Sequence, residues 1–142
     1  MIRKFKTEDL EVVMELWLLG NTEVHSFIPS KYWRENFNEI QRVIPIACTY
    51  VYEHKGEVMG FISTMDSYLL GIFVNNSIRN HGMGMVMLDC VKQRESSLTV
   101  TVYEKNVTAV KFFMKQGFKV DSESMEASTG ERQLVMVWEK ES

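Results

Sequence analysis

Phe73-Val74-Asn75-Asn76-Ser77-Ile78-Arg79-Asn80-His81-Gly82-Met83-Gly84 is the stretch that decides the fold. It leads from a strand pattern, Tyr68 to Val74, through a polar loop into an apolar segment, Gly82 to Gln93, that reads as a helix. Gly82 and Gly84 let the backbone approach a ligand without Cβ obstruction. The first turn of a helix leaves N–H groups unpaired, and its dipole adds partial positive charge, so this junction is an anion site. Arg79 adds a guanidinium suited to phosphate oxygens. A Walker A loop needs a lysine and a hydroxyl residue after its second glycine, and Gly84-Met85-Val86 has neither. A dinucleotide fingerprint needs three spaced glycines near the start of a βαβ unit, followed by an acidic residue. This loop lies mid-chain and has two.

Upstream of the loop, Met1 to Lys6 alternates as a short strand, and Thr7 is placed to cap a helix that runs to about Leu19 and ends at Gly20-Asn21. Leu10, Val13, Met14 and Trp17 supply its apolar face. Glu23 to Pro29 is irregular. Ser30 opens a second helix with Trp33, Phe37, Ile40 and Ile44 on one side, limited by Pro45. Thr49 to Glu53, Val58 to Thr64 and Tyr68 to Val74 are strands joined by short turns, which makes them antiparallel neighbours. The Gly82 to Gln93 segment is apolar almost all round, which predicts a helix buried against a sheet. Leu98 to Tyr103 is β-branched and alternating, a further strand. Asn106 caps a helix from Val107 to Gln116, closed by Gly117. Phe118 to Ser122 and Leu134 to Trp138 are the final strands, with a turn at Ser128-Thr129-Gly130. The strand ending at Val74 and the strand from Leu98 are linked through a helix, so they run parallel with a right-handed crossover.

The 142 residues amount to one domain, residues 1–142, with no repeat or linker. Apolar residues make up 45% and charged residues 25%, which places the chain among globular proteins rather than disordered ones. The net charge is −3 with no basic stripe, which argues against a nucleic-acid partner. Cys48 and Cys90 are too few and too separated for a disulfide framework or a zinc site, and read as two buried thiols in a reducing compartment. His54 and His81 lie in polar turns and do not cluster, so no metal is expected. The opening residues are too polar for a signal peptide, and no apolar run is long enough to span a membrane. A cytoplasmic location follows as the expectation.

Arg79-x-x-Gly82-x-Gly84 after a strand ending Phe73-Val74 resembles motif A of the GCN5-related N-acetyltransferase (GNAT) family. Asn106-Val107-Thr108-Ala109, then Phe112-Phe113, then Gly117-Phe118, resembles its motif B. The element order β-α-α-β-β-β-α-β-α-β-β is similar to the family's from end to end. A narrower resemblance, to YiaC-like bacterial protein N-acetyltransferases, rests on Glu15-Leu16-Trp17-Leu18, Phe27-Ile28, Tyr32-Trp33-Arg34 and Val102-Tyr103-Glu104-Lys105-Asn106.

The resemblance implies an α/β fold with a mixed, mostly antiparallel twisted sheet of about seven strands and four flanking helices. It implies acetyl transfer from acetyl-CoA to a primary amine, by direct attack in a ternary complex. Backbone groups of Phe73 and Val74 would orient the thioester. Arg79, Asn80, His81, Gly82, Met83, Gly84 and Met85 would hold the pyrophosphate. Asn106 would bond the pantetheine arm and Phe112 would wall it. His25, Phe27, Tyr32 and Trp33 fall in the region that lines the family's acceptor cleft. A lysine amine, with an ordinary pKa of about 10.4, must lose a proton before it attacks. The family's acid is a tyrosine where this chain has Phe113, and a phenyl ring has no proton to give. Tyr103, then Tyr68, are the substitutes, with Glu104 as base directly or through water. Phe113 keeps open a non-catalytic acyl-CoA-binding or sensor module. Monomer and homodimer are both compatible with the sequence.

Overall fold

The structure is a computed structural model, and it describes residues 1–79 and 81–141. Among the described residues seven strands form one sheet: β1 (Ile2–Lys4), β2 (Cys48–His54), β3 (Glu57–Met65), β4 (Tyr68–Val74), β5 (Ser97–Tyr103), β6 (Lys119–Met125) and β7 (Arg132–Glu139). Four α-helices flank it: α1 (Leu10–Val24), α2 (Ser30–Val43), α3 (Met83–Lys92) and α4 (Val107–Lys115). The spatial order is β1-β2-β3-β4-β5-β7-β6, and every neighbouring pair is antiparallel except β4 with β5. The expected fold class is the one observed. No described helix is long and apolar enough to cross a membrane.

Strand alternation builds two apolar cores, one on each face of the sheet. Tyr50, Ile62 and Leu69 join Met87, Leu88 and Val91 of α3 and Phe113 of α4. Their sequence neighbours Val51 and Phe61 turn the other way and pack with Val13, Met14 and Trp17 of α1 and Trp33 of α2. Tyr103 belongs to this second core, while Val100 and Val102 belong to the first.

Several sequence expectations are corrected. The first helix does not stop at Gly20-Asn21 but continues to Val24. Gly20 is buried, and a Cβ built on it would collide with the Phe73 ring, so this glycine marks a close crossing over β4 rather than a helix end. Asn21 turns its side chain back to the Trp17 carbonyl at 2.9 Å. Thr7 does not cap α1. It begins a 3-10 turn in which the Asp9 carboxylate accepts the Lys6 N–H at 2.8 Å and pairs with Arg3. The helix after the glycine loop is not buried all round: Met87, Leu88 and Val91 are buried, but Met85 and Val86 are exposed because the sheet covers one side only. Cys48 is exposed and Cys90 half-buried, so neither is the buried thiol expected.

Candidate active site

The parallel strands β4 and β5 pair at one register position, Tyr68 with Thr99, next to a bond from the Thr99 N–H to the Ser67 carbonyl at 2.9 Å. Beyond that point they separate. On its other side β4 stays paired with β3, but Ser63 opposes Gly71 while Thr64 opposes Leu69, so Leu70 is an extra residue that bulges the strand. A bulge bends and twists the strand that carries it, and here it turns the end of β4 away from β5. The gap is a cavity of about 1440 Å³, walled by Leu70 to Val74 on one side and Val100 to Tyr103 on the other. Backbone N–H and C=O groups along this gap have no strand partner, which is a costly arrangement unless an extended ligand or water satisfies them.

The glycine loop stands at the open end. Gly82 has φ +81° at the start of α3, with nothing within 4 Å of where a Cβ would stand. Gly84 lies against Phe112, its would-be Cβ 3.4 Å from the ring. The amides of Met83, Gly84 and Met85 fall in the helix's first turn, where no intrahelical carbonyl reaches them. Arg79 lines the cavity and pairs with Glu23 at the end of α1, 3.3 Å away. Glu23 also accepts the Asn76 side-chain amide at 2.6 Å.

Asn106 caps α4, its Oδ1 accepting the Ala109 N–H at 3.2 Å. Its Nδ2 lies 3.1 Å from His25 Nε2. Since Nδ2 can only donate, His25 Nε2 accepts, and the ring proton sits on Nδ1. That Nδ1 is buried and makes no hydrogen bond among the described residues, although the Asn21 carbonyl is close enough to bias the ring toward its charged form. Burial dominates and lowers the His25 pKa from 6.5 to about 4, so the imidazole is neutral near pH 7. Trp33 Nε1 is a second buried donor without a partner among the described residues, and both rings line the cavity.

Glu126 follows β6, lines the same cavity and collects four donors. Tyr103 donates to Oε1 at 2.7 Å and Thr129 at 2.6 Å. Tyr32 donates to Oε2 at 3.1 Å and Gln133 at 3.2 Å. Burial, then the Glu126 carboxylate, push the Tyr103 pKa well above the ordinary phenol range. Burial likewise raises that of Tyr32.

Most of the residues singled out in the sequence converge on this one cavity: Phe73, Val74, Arg79, Gly82, Met83, Gly84, Met85, Asn106, Phe112, Tyr68, Tyr103, His25, Tyr32 and Trp33 all line it. Phe27 stands behind the wall, its ring 5.6 Å from Tyr103 and 5.7 Å from His25. His81 is exposed and off the lining, and Asn80 lies outside the described residues. Glu104 is exposed, off the lining and 3.5 Å from Arg132, so it reaches the cavity only through solvent. Sequence reasoning missed Glu126. It sits among Glu123, Glu131 and other acidic residues of the same hairpin, and no local pattern sets it apart.

Residues 8–140 match the model of the acetyltransferase (GNAT) domain. The chain belongs to the GNAT acetyltransferase family. The peptidyl-lysine N-acetyltransferase YiaC of Escherichia coli strain K12 is 31% identical over 140 residues, spanning 97% of this chain and 96% of that protein. The solution structure of apo-form YjaB from Escherichia coli superposes with a TM-score of 0.84 at 24% identity, covering 97% of this chain and 96% of that one. The PaiA N-acetyltransferase from Thermoplasma acidophilum, solved in complex with coenzyme A, gives a TM-score of 0.78 at 20% identity, covering 99% and 98%. This GNAT chain therefore carries out acetyl-CoA-dependent transfer of an acetyl group to an amine. Its residues fit that cosubstrate. A helix N-terminus with a glycine whose Cβ position is empty suits a pyrophosphate, and an unpaired strand edge suits an amide-bearing arm.

Proposed function

We propose that this GNAT enzyme acetylates the Nε of lysine side chains in peptides or proteins. The observation that carries the reading is the single cavity in which the β4–β5 gap, the α3 N-terminus and the α1–α2 wall meet, in a chain similar to a peptidyl-lysine enzyme over nearly its whole length. In this reading Arg79 and the amides of Gly82 to Met85 hold the pyrophosphate. The backbone of Phe73 and Val74 pairs with the pantetheine arm, Asn106 supports it, and Phe112 packs against it. A backbone N–H of β4 on the thioester carbonyl stabilises the charge that develops there during attack. Bringing amine and thioester together in one cleft supplies much of the rate. Of the two candidate phenols, Tyr103 donates to Glu126 and Tyr68 to Thr101. The protein acts in the cytosol, as monomer or homodimer, without nucleic acid or membrane.

One observation bears on which group supplies the acid. Phe113, where the family's tyrosine acid would stand, is 3% exposed and packed between Phe112 and Phe118. Mass spectrometry of lysine peptides and small amines incubated with acetyl-CoA tests the proposed acceptor. Peptide lysines acetylated in preference to small amines support it, and small amines acetylated in preference to peptides overturn it.

A further inference from the structure

We infer that Glu126, acting through Tyr32 and Tyr103, forms the subsite for the acceptor's ammonium group and takes the proton that the amine must lose. This rests on amine acetylation as the reaction. The charged side chains that line the cavity are Arg79, Lys105 and Glu126, so among the described residues Glu126 is the one acidic group on the wall. Lys105 is engaged by Glu131 at 3.1 Å, and Arg79 stands by the glycine loop. The cavity is thus positive where an anionic cosubstrate enters and negative on the side of α2. An alkylammonium entering a partly desolvated cleft needs a counter-charge. The neighbouring carboxylates Glu104 and Glu123 cannot supply it, because both pair with Arg132 and lie off the lining.

The hydrogen bonds say how the group works. An ionised carboxylate has about four lone-pair sites, and Tyr32, Tyr103, Thr129 and Gln133 fill them. Glu126 is therefore held rigidly by four side chains. Each phenol donates its O–H to the carboxylate in a hydrogen bond and keeps its oxygen lone pairs. Two phenol oxygens backed by one carboxylate make an acceptor pair for ammonium N–H groups. They also make a path for the proton. The ammonium gives a proton to the Tyr103 oxygen as the Tyr103 proton passes to Glu126 Oε1, leaving a neutral amine, a neutral phenol and a carboxylic acid. The amine nitrogen then forms the C–N bond to the thioester carbonyl carbon. The C–S bond breaks with its electron pair on sulfur, and the proton shed by that nitrogen ends on the thiol. Glu126 returns its proton to solvent. The elevated pKa of Tyr103 suits a relay that is neutral before and after.

The test is calorimetric binding of two peptides to the protein saturated with coenzyme A, one with lysine and one with norleucine at the same position. Wild type should favour the lysine peptide. Glu126→Gln, which keeps size and shape, should weaken lysine-peptide binding roughly 10- to 100-fold and leave norleucine-peptide and coenzyme A affinities unchanged. Tyr32→Phe, which removes one phenol oxygen at a half-buried position, should also reduce the preference for lysine. Equal lysine affinity in Glu126→Gln, an unaltered preference in Tyr32→Phe, or no preference in wild type would each overturn the assignment. If wild type fails to turn over acetyl-CoA, the proposed function falls, while the peptide comparison still decides the subsite by itself.

Discussion

Gly20 of α1 lies directly over the ring of Phe73 in β4, so close that a Cβ at Gly20 would stand 2.8 Å from Phe73 Cε1 and closer still to Cδ1. Phe73 also contacts Phe61, ring centroids 5.8 Å apart, and its backbone forms part of the cleft wall. The helix crossing thereby sets the position of the strand edge that lines the cleft. Helix propensity favours Gly20→Ala by about 1 kcal/mol, but overpacking at such a site costs about 1–3 kcal/mol. Net destabilisation is the expected result in urea unfolding, with a raised KM for acetyl-CoA as β4 shifts. A stabilised variant would show that the Phe73 ring turns aside freely.

If Arg79 holds the pyrophosphate as proposed, Glu23 competes with it for the guanidinium. Arg79→Ala should weaken acetyl-CoA binding roughly 10-fold, as a charge-assisted contact is lost. Glu23→Gln should do the opposite and tighten binding a few-fold, because the guanidinium is then free. Both effects should shrink at high salt. Calorimetry at two ionic strengths reads all of this, and equal affinities in wild type and Glu23→Gln would remove the competition.

Tyr103 and Tyr68 are separated by what their hydroxyls touch. Tyr103→Phe should lower kcat by about 100-fold or more with acetyl-CoA affinity retained. Tyr68→Phe loses only its bond to Thr101 at the closed end of the β4–β5 gap, worth about 1 kcal/mol, and should cost less than 10-fold. Steady-state kinetics with a lysine peptide checks the order, and the reverse order would transfer the proton role to Tyr68.

His25 makes the fold sensitive to acid. Its folded pKa, about 4, lies below the unfolded 6.5, so between these values the unfolded chain binds a proton that the native chain does not. The stabilising contribution is complete above pH 6.5 and is lost as pH falls toward 4, by at most ~3 kcal/mol. Denaturant midpoints of wild type should fall across that window. His25→Gln should flatten the fall while its side-chain oxygen can still accept from Asn106. A variant with the wild-type slope would assign the sensitivity elsewhere.

Local chemistry alone determined a good deal about this protein. The Tyr68–Val74 strand, the glycine junction at Gly82 and the Asn106 cap are written within windows of a dozen residues. Backbone freedom at glycine, side-chain capping and apolar periodicity all act over that range. Those elements, with Arg79, already mark the candidate anion site and the family. The tertiary structure decided the rest. Gly20 looked like a helix end because a glycine after an apolar run is an ordinary stop, and only the crossing with Phe73 shows why it stays helical. Glu126 meets Tyr103 across 23 residues and Tyr32 across 94. Strand register and helix docking bring those partners together, and no periodicity within one segment encodes a contact between two. The proposed anion-binding end of the cleft is local and was legible in the sequence, whereas the proposed amine-binding end is assembled from distant segments and exists only in the folded chain.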